Sequence, residues 1–292
     1  MNSRFFRLPA VLLLCVLLFS AVPLARPVNA DPRPSLSLHV FSFGKADAFL
    51  FSTQEGAVLI DCGLNGQGKE ILSYLADHDI REIHTLIITH FDKDHVGGAS
   101  KVLKGIPVKR VLQSDSPKDS KEYEKYLKAL TQSSLDPITV REVLSFSLGD
   151  VEFTVFPPEQ DSYSKDPSNN SSLATLIKYG DTSFLFTGDA ESARLQELLK
   201  TGFGTVGFLQ IPHHGSWQTL LGALLNYVSP DYALITSSEE EPEDFVTLQL
   251  LQKFGAETLL TREGELDIIS DGSALSVSQK GETLTVTLSP AA

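Results

Sequence analysis

Four side chains able to bind a divalent metal stand within six consecutive residues, His90-Phe91-Asp92-Lys93-Asp94-His95. Histidine nitrogen and aspartate oxygen together suit zinc, or a harder transition ion such as manganese. The cluster directly follows the apolar run Leu86-Ile87-Ile88, so it lies where a strand ends and a helix begins. At a strand end alternate residues point the same way, which sets His90, Asp92 and Asp94 on one side, and the turn brings His95 beside Asp94. A helix cap accounts for Asp92 or Asp94 taken singly, but not for four ligand types together. Two further strand ends carry the same chemistry. Phe184-Leu185-Phe186-Thr187-Gly188 leads into Asp189, and Phe208-Leu209-Gln210-Ile211-Pro212 leads into His213-His214-Gly215-Ser216. Alone, Asp189 reads equally as a helix cap and the histidine pair as surface loop. Three strand ends bearing His and Asp make a metal centre the economical reading. His39, His78 and His84 lack acidic ligand spacing and read as structural or exposed.

These ligands need strands to carry them. Leu36–Phe43, Asp47–Ser52 and Ala57–Cys62 read as strands, followed by a helix over Gly68–His78 and a buried-type strand over Thr85–Thr89. A helix starts near Val96, Val108–Leu112 is a strand, and Lys118–Leu130 is a charged helix whose charges form a solvated face. Ser172–Tyr179 and Thr182–Thr187 form a hairpin over Gly180-Asp181. Helices over Ala193–Lys200, Thr219–Tyr227 and Phe245–Phe254 alternate with strands over Val206–Ile211 and Tyr232–Ile235, and three strands fill 257–288. Strand clusters separated by helices predict two mixed sheets face to face with helices outside.

Composition sets limits. The chain has 292 residues, 42% of them hydrophobic, and a formal net charge of −13. It can bury a sizeable core, and its acidity argues against a surface built for nonspecific phosphate binding, since no Lys/Arg cluster accompanies the motifs. Lys93 is the one basic residue inside the first motif. Arg4 and Arg7, the uncharged run over 8–24, and Val28-Asn29-Ala30 before Asp31 have the three parts of a secretory signal. The expectation is a cleaved signal over residues 1–30, with an uncleaved anchor through 8–24 as the alternative, a linker over 31–35, and one domain over 36–290. Cleavage removes Arg4, Arg7 and Arg26 and no acid, which moves the charge from −13 to −16. It also removes Cys15, leaving Cys62 as a small core residue with no assigned role.

The motifs resemble the metallo-β-lactamase superfamily, and within it the hydrolase domain of ComEC-type DNA-uptake proteins and its stand-alone secreted relatives. The similarity runs in order through Phe43-Gly44-Lys45-Ala46-Asp47-Ala48, Leu59-Ile60-Asp61-Cys62-Gly63, Thr89-His90-x-Asp92-x-Asp94-His95-x-Gly97-Gly98, Asn169-Asn170-x-Ser172-Leu173, Thr187-Gly188-Asp189 and His213-His214-Gly215-Ser216. It implies an αββα sandwich with the centre at the edge between the sheets. By the same resemblance His90 and Asp92 serve one metal, Asp94 and His95 the other, Asp189 bridges, and His213 or His214 completes the second site. Asp61 is implied as a supporting carboxylate. Asp92 stands where most members have histidine, and no histidine lies between 96 and 212, so the first site is oxygen-rich and ligand-poor.

The chemistry expected is hydrolysis by a metal-bound hydroxide, with one or two Zn2+ or Mn2+ ions as cofactor. Asp94, His213 and His214 are the candidate catalytic residues, the histidine that does not ligate serving as proton donor. Asn170 and Ser216 are candidate hydrogen-bond donors to substrate, or plain turn residues. A phosphodiester-containing polymer is the favoured substrate class, with a small lactone or carboxyl ester as the alternative. A metal-stabilised binding module that has lost turnover is the reading from another class.

Overall fold

A computed structural model describes residues 36–279 and 282–287; the predicted signal and linker lie outside them. In chain order the strands are β1 (Leu36–Val40), β2 (Phe49–Thr53), β3 (Gly56–Ile60), β4 (Ile83–Ile88), β5 (Val108–Gln113), β6 (Ile138–Thr139), β7 (Leu144–Leu148), β8 (Val151–Phe156), β9 (Ala174–Tyr179), β10 (Thr182–Phe186), β11 (Phe208–Gln210), β12 (Tyr232–Ile235), β13 (Glu257–Leu260), β14 (Leu266–Ser270), β15 (Ala274–Gln279) and β16 (Glu282–Thr287). Among the described residues they form a nine-stranded sheet, ordered β16-β15-β14-β1-β2-β3-β4-β5-β6, and a seven-stranded sheet, ordered β13-β12-β11-β10-β9-β8-β7. The expected αββα sandwich is the observed fold.

Period-2 alternation makes the sandwich. On β2, Phe49 and Phe51 enter the core between the sheets while Leu50 packs outward. On β10, Phe184 and Phe186 face the same inner core and Leu185 faces out. Phe51 meets Phe153, Phe184 and Phe186 edge-on, with ring centroids 5.3 to 5.9 Å apart. The outer face of the first sheet is covered by helices Gly68–Asp77, Ala99–Gly105 and Lys121–Gln132, through Ile71, Leu75, Val102, Leu103, Tyr126 and Leu130. Ser192–Leu198, Leu221–Val228 and Phe245–Phe254 cover the second.

Two sequence expectations are corrected and one hairpin is added. The charged helix begins at Lys121, capped by Ser120, whose hydroxyl accepts from the Tyr123 N–H at 3.2 Å; Lys118 therefore lies in a loop. The β7–β8 hairpin was not assigned from sequence, because β7 is a short edge strand with a half-polar pattern. The last region holds four strands, not three. β13 stays in the second sheet, and β14, β15 and β16 return to pair with β1 in the first.

The topology gathers the site. β3, β4, β5 and β6 run parallel, as do β10, β11, β12 and β13. Ligands gather outside the carboxyl ends of such strands. Asp61 follows β3, His90 follows β4, Asp189 follows β10, His213 and His214 follow β11, and Thr236 follows β12. The first motif is locked against the loop after β3: Cys62 N–H donates to the His95 carbonyl at 2.8 Å, and Gly98 N–H to the Gly63 carbonyl at 3.0 Å. A Cβ on Gly98 would stand 2.1 Å from the Cys62 carbonyl oxygen. Gly98→Ala should therefore destabilise the fold by about 1–3 kcal/mol. A urea midpoint equal to that of the unmodified chain would contradict this packing.

Candidate metal centre

His90 and His95 come from either end of the first motif, which turns from extended backbone at Asp92 into the short helix Lys93–Val96. Asp189 arrives after a turn at Gly188, and Asp189 N–H donates to Ser172 Oγ at 3.2 Å. The histidine pair lies on a sharper bend, where His213 and His214 have φ of +50° and +54°. Such left-handed residues cost roughly 1–3 kcal/mol each and persist only where their surroundings hold them. Here His213 N–H donates to the Gly188 carbonyl at 3.2 Å, tying the bend to the Asp189 turn. Burying a single phenylalanine contributes about as much as one such residue costs, so the aromatic core between the sheets can sustain the bend.

Asp189 stands at the middle. Its carboxylate oxygens lie 3.1 Å from His95 Nε2, 3.4 Å from His214 Nε2, 3.8 Å from His213 Nε2 and 3.9 Å from His90 Nε2. Asp94 Oδ2 is 3.4 Å from the same His214 nitrogen. Ligand atoms of Asp94, His95, Asp189 and His214 all fall within 4.8 Å of one another. The opposite ring nitrogens are held from behind. His95 Nδ1 is 2.8 Å from Asp61 Oδ2, and His214 Nδ1 is 2.8 Å from Thr236 Oγ1 and 3.4 Å from Asp47 Oδ1. Thr236 donates its hydroxyl to Asp47 at 2.6 Å, and Thr89 donates both N–H and hydroxyl to Asp61 at 2.8 and 2.6 Å.

Nε2 of His90, His95 and His214 and Oδ1 of Asp189 are buried without a hydrogen-bond partner. Each such group costs about 1–3 kcal/mol when left unpaired. A divalent cation among them converts that cost into ligation, so the donor set fits a metal. Asp47, Asp61 and His95 Nδ1 form a second compact group. Its carboxylates already accept hydroxyl and amide protons, so it serves to aim the histidines.

Electrostatics follow burial. Burial opposes a charge on His95, but Asp189 and Asp61 outweigh it and hold the imidazolium well above the usual histidine range. Asp189 and Asp47 do the same for His214. Burial alone would raise Asp189 and Asp94, yet the neighbouring histidines keep both below the usual carboxylate range. His90, desolvated and beside His95, is pushed down. Burial likewise lowers His213, at the rim. His213 Nδ1 is 3.2 Å from Glu191, whose carboxyl is raised to about 7 by burial and by Asp166.

Of the residues proposed from sequence, Asp94, His95, Asp189 and His214 converge, with His90 at the inner wall and Asp61 behind His95. His213 stands aside, with 25% of its side chain exposed. Asp92 Oδ1 faces His90 Nε2 at 3.8 Å while accepting from Lys118 and Ser168. The Asn170 amide is spent on the backbone: Nδ2 donates to the Lys165 carbonyl at 2.9 Å and Oδ1 accepts from Arg194 N–H at 3.0 Å. It staples a loop and offers no donor to substrate, which corrects that expectation. Ser216 is half-buried on the histidine loop. Sequence reasoning gave no role to Asp47 or Thr236. A lone aspartate among apolar neighbours in Ala46-Asp47-Ala48-Phe49 was the available signal, since a fully buried carboxylate needs partners. His39 is buried against Asp267 at 2.8 Å; Cys62 is a buried core residue, but its N–H to the His95 carbonyl sets it directly beneath the first motif.

Metal must displace the protons held by His95 and His214, because only neutral imidazole ligates. Affinity for Zn2+ or Mn2+ should therefore rise with pH through and above the usual histidine range, with proton release visible as buffer-dependent heat in titration calorimetry. Affinity independent of pH over that range would contradict the assignment. Asp61→Asn should weaken metal binding about 10–100-fold by freeing the His95 ring. An unchanged dissociation constant would remove Asp61 from the centre.

Residues 42–237 match the family model of the metallo-beta-lactamase superfamily. The chain is 30% identical over 201 residues to ComE operon protein 3 of Bacillus subtilis, covering 66% of this chain and 25% of that protein. It is 28% identical over 226 residues to Recombination protein 2 of Haemophilus influenzae, covering 76% of this chain and 26% of that protein. The chain thus spans about a quarter of the length of these relatives. The metallo-beta-lactamase fold protein YhfI from Bacillus subtilis superposes with a TM-score of 0.54 at 14% identity, over 81% of this chain and 99% of that one. The sandwich, the ligand set at its edge and the family match agree: the chain belongs to the metallo-β-lactamase superfamily.

Proposed function

We propose that the chain is an exported metal-dependent hydrolase of the ComEC-type branch, acting on a phosphodiester in a nucleic acid or a cell-surface polymer. One observation carries the reading. Buried Nε2 atoms of His95 and His214 converge on Asp94 and Asp189 while carboxylates hold the opposite face of each ring. These four residues would hold a divalent cation, which supplies Lewis acidity and a lowered pKa for water at the site. Asp61 accepts from His95 Nδ1, and Thr236, whose hydroxyl donates to Asp47, accepts from His214 Nδ1, which keeps the Nε2 lone pairs turned inward. Asp189, with one oxygen toward His95 and the other toward His214, fixes the spacing of the two rings.

His213 is the proton donor in this reading. Its Nε2 faces the Asp189 carboxylate and its Nδ1 faces Glu191, which carries a proton near neutrality and can replenish one passed to a leaving oxygen. Ser216, on the same loop, is the candidate donor to substrate. The phosphodiester choice draws on the resemblance of the motifs and on a relative named for recombination. A net charge of −16 after loss of residues 1–30 disfavours long tracking along a polyanion, so short or locally presented phosphodiesters fit better. Export rests on the charged, apolar and small-residue pattern of residues 1–30, with 31–35 as linker and 36–290 as the catalytic domain. Among the described residues no helix is long and apolar enough to cross a membrane.

Hydrolysis of bis-p-nitrophenyl phosphate should require added Mn2+ or Zn2+ and stop with chelator. Asp94→Asn and His214→Ala should each lower kcat/KM by more than the roughly 10–100-fold that outer partners are worth. Preference for a lactone under the same conditions would replace the phosphodiester with carboxyl-ester chemistry. Full activity in either variant would remove the cluster from catalysis.

A further inference from the structure

We infer that the Lys118 ammonium takes the charge position of a second metal ion, so that this centre binds one divalent cation rather than two. The inference rests on the metal-centre reading above and specifies its occupancy. Lys118 lies in the loop after β5, and Ser168 in the short helix Pro167–Asn170. Both donate to the same oxygen, Asp92 Oδ1. That oxygen is also the one facing His90, 3.8 Å from Nε2. Two donors fill the two lone-pair directions of a carboxylate oxygen. That oxygen is thereby withdrawn from ligation, and Asp92 lies outside the compact set formed by Asp94, His95, Asp189 and His214.

The charges agree with this division. Asp94 and Asp189 match one divalent cation, and Lys118 matches Asp92. Asp47 and Asp61 are committed to the outer nitrogens of His214 and His95. A second divalent ion at Asp92 would have to expel the ammonium or lie against it, which like charge opposes. His90 cannot compensate alone, because its Nδ1 is already held 3.2 Å from Thr89 Oγ1 and, among the described residues, the acidic groups within 4 Å of its Nε2 are Asp92 and Asp189. Lys118 also lines a groove of about 480 Å³ together with Ser116, Asp119 and Asn169. Its ammonium thus borders solvent on one side and Asp92 on the other. Lys118 is a positioning residue: it holds Asp92 out of the ligand set.

Metal-stripped full chain, titrated with Mn2+ and with Zn2+, gives the test. Calorimetry and mass-spectrometric metal analysis should find one equivalent in the unmodified chain, one in Lys118→Arg, and two in Lys118→Met. The paramagnetic resonance spectrum of the Mn2+-loaded Lys118→Met chain should show a spin-coupled pair absent from the unmodified chain. Two equivalents in the unmodified chain, or one in a folded Lys118→Met chain, would overturn the inference. No binding at all would overturn the metal-centre reading with it. The count needs no turnover, so failure to hydrolyse any ester leaves it standing, and a wrong count leaves the hydrolase reading intact.

Discussion

The structure turns on a single buried carboxylate set among four imidazoles. Asp189 is 2% exposed and within 4 Å of His90, His95, His213 and His214. A carboxylate so desolvated is costly unless cations or strong donors surround it. In the metal-free protein the protons on His95 and His214 supply that compensation; a divalent ion supplies it when bound. Either way the charges hold one another in place. Asp61 and Asp47 extend the same logic outward, each fixing the ring that faces Asp189.

No single element could assemble this. Asp189 follows a strand of the second sheet, His90 and His95 follow a strand of the first, and His214 follows another strand of the second. Their meeting depends on two parallel runs of strands ending at one edge of the sandwich. It also depends on backbone hydrogen bonds between loops: Leu173 N–H donates to the Thr89 carbonyl at 3.0 Å, and Asp47 N–H to the Asp94 carbonyl at 3.0 Å. Asp61, His213 and His214 all adopt positive φ at the centre, where the inner aromatic core and these tethers can hold them.

The ligand types and their strand-end positions were legible in the sequence because metal chemistry restricts residue choice and apolar runs mark strand ends. Alternating Phe and Leu on β2 and β10 likewise exposed the sandwich. Other features depend on contacts that local pattern does not encode. Whether His213 or His214 turns inward is decided by two backbone angles, since both follow the same strand. Asp47 is distinguished only by its burial beneath Thr236, which lies 189 residues away. Lys118 looked like one charge of a solvated helix. It acquires meaning because the loops after β5 and β8 meet at Asp92. The return of β14, β15 and β16 to β1 closes the first sheet through pairing across the length of the domain, which periodicity cannot reveal.

The central claim is that Asp94, His95, Asp189 and His214 hold a divalent cation at the sheet edge. Anomalous diffraction from crystals grown with Zn2+ or Mn2+, collected on either side of the metal's absorption edge, tests it most directly. The account predicts an anomalous peak bounded by Nε2 of His95, Nε2 of His214 and the carboxylates of Asp94 and Asp189. A metal-loaded crystal with its peak elsewhere, or with these four side chains engaged only with one another, would contradict it.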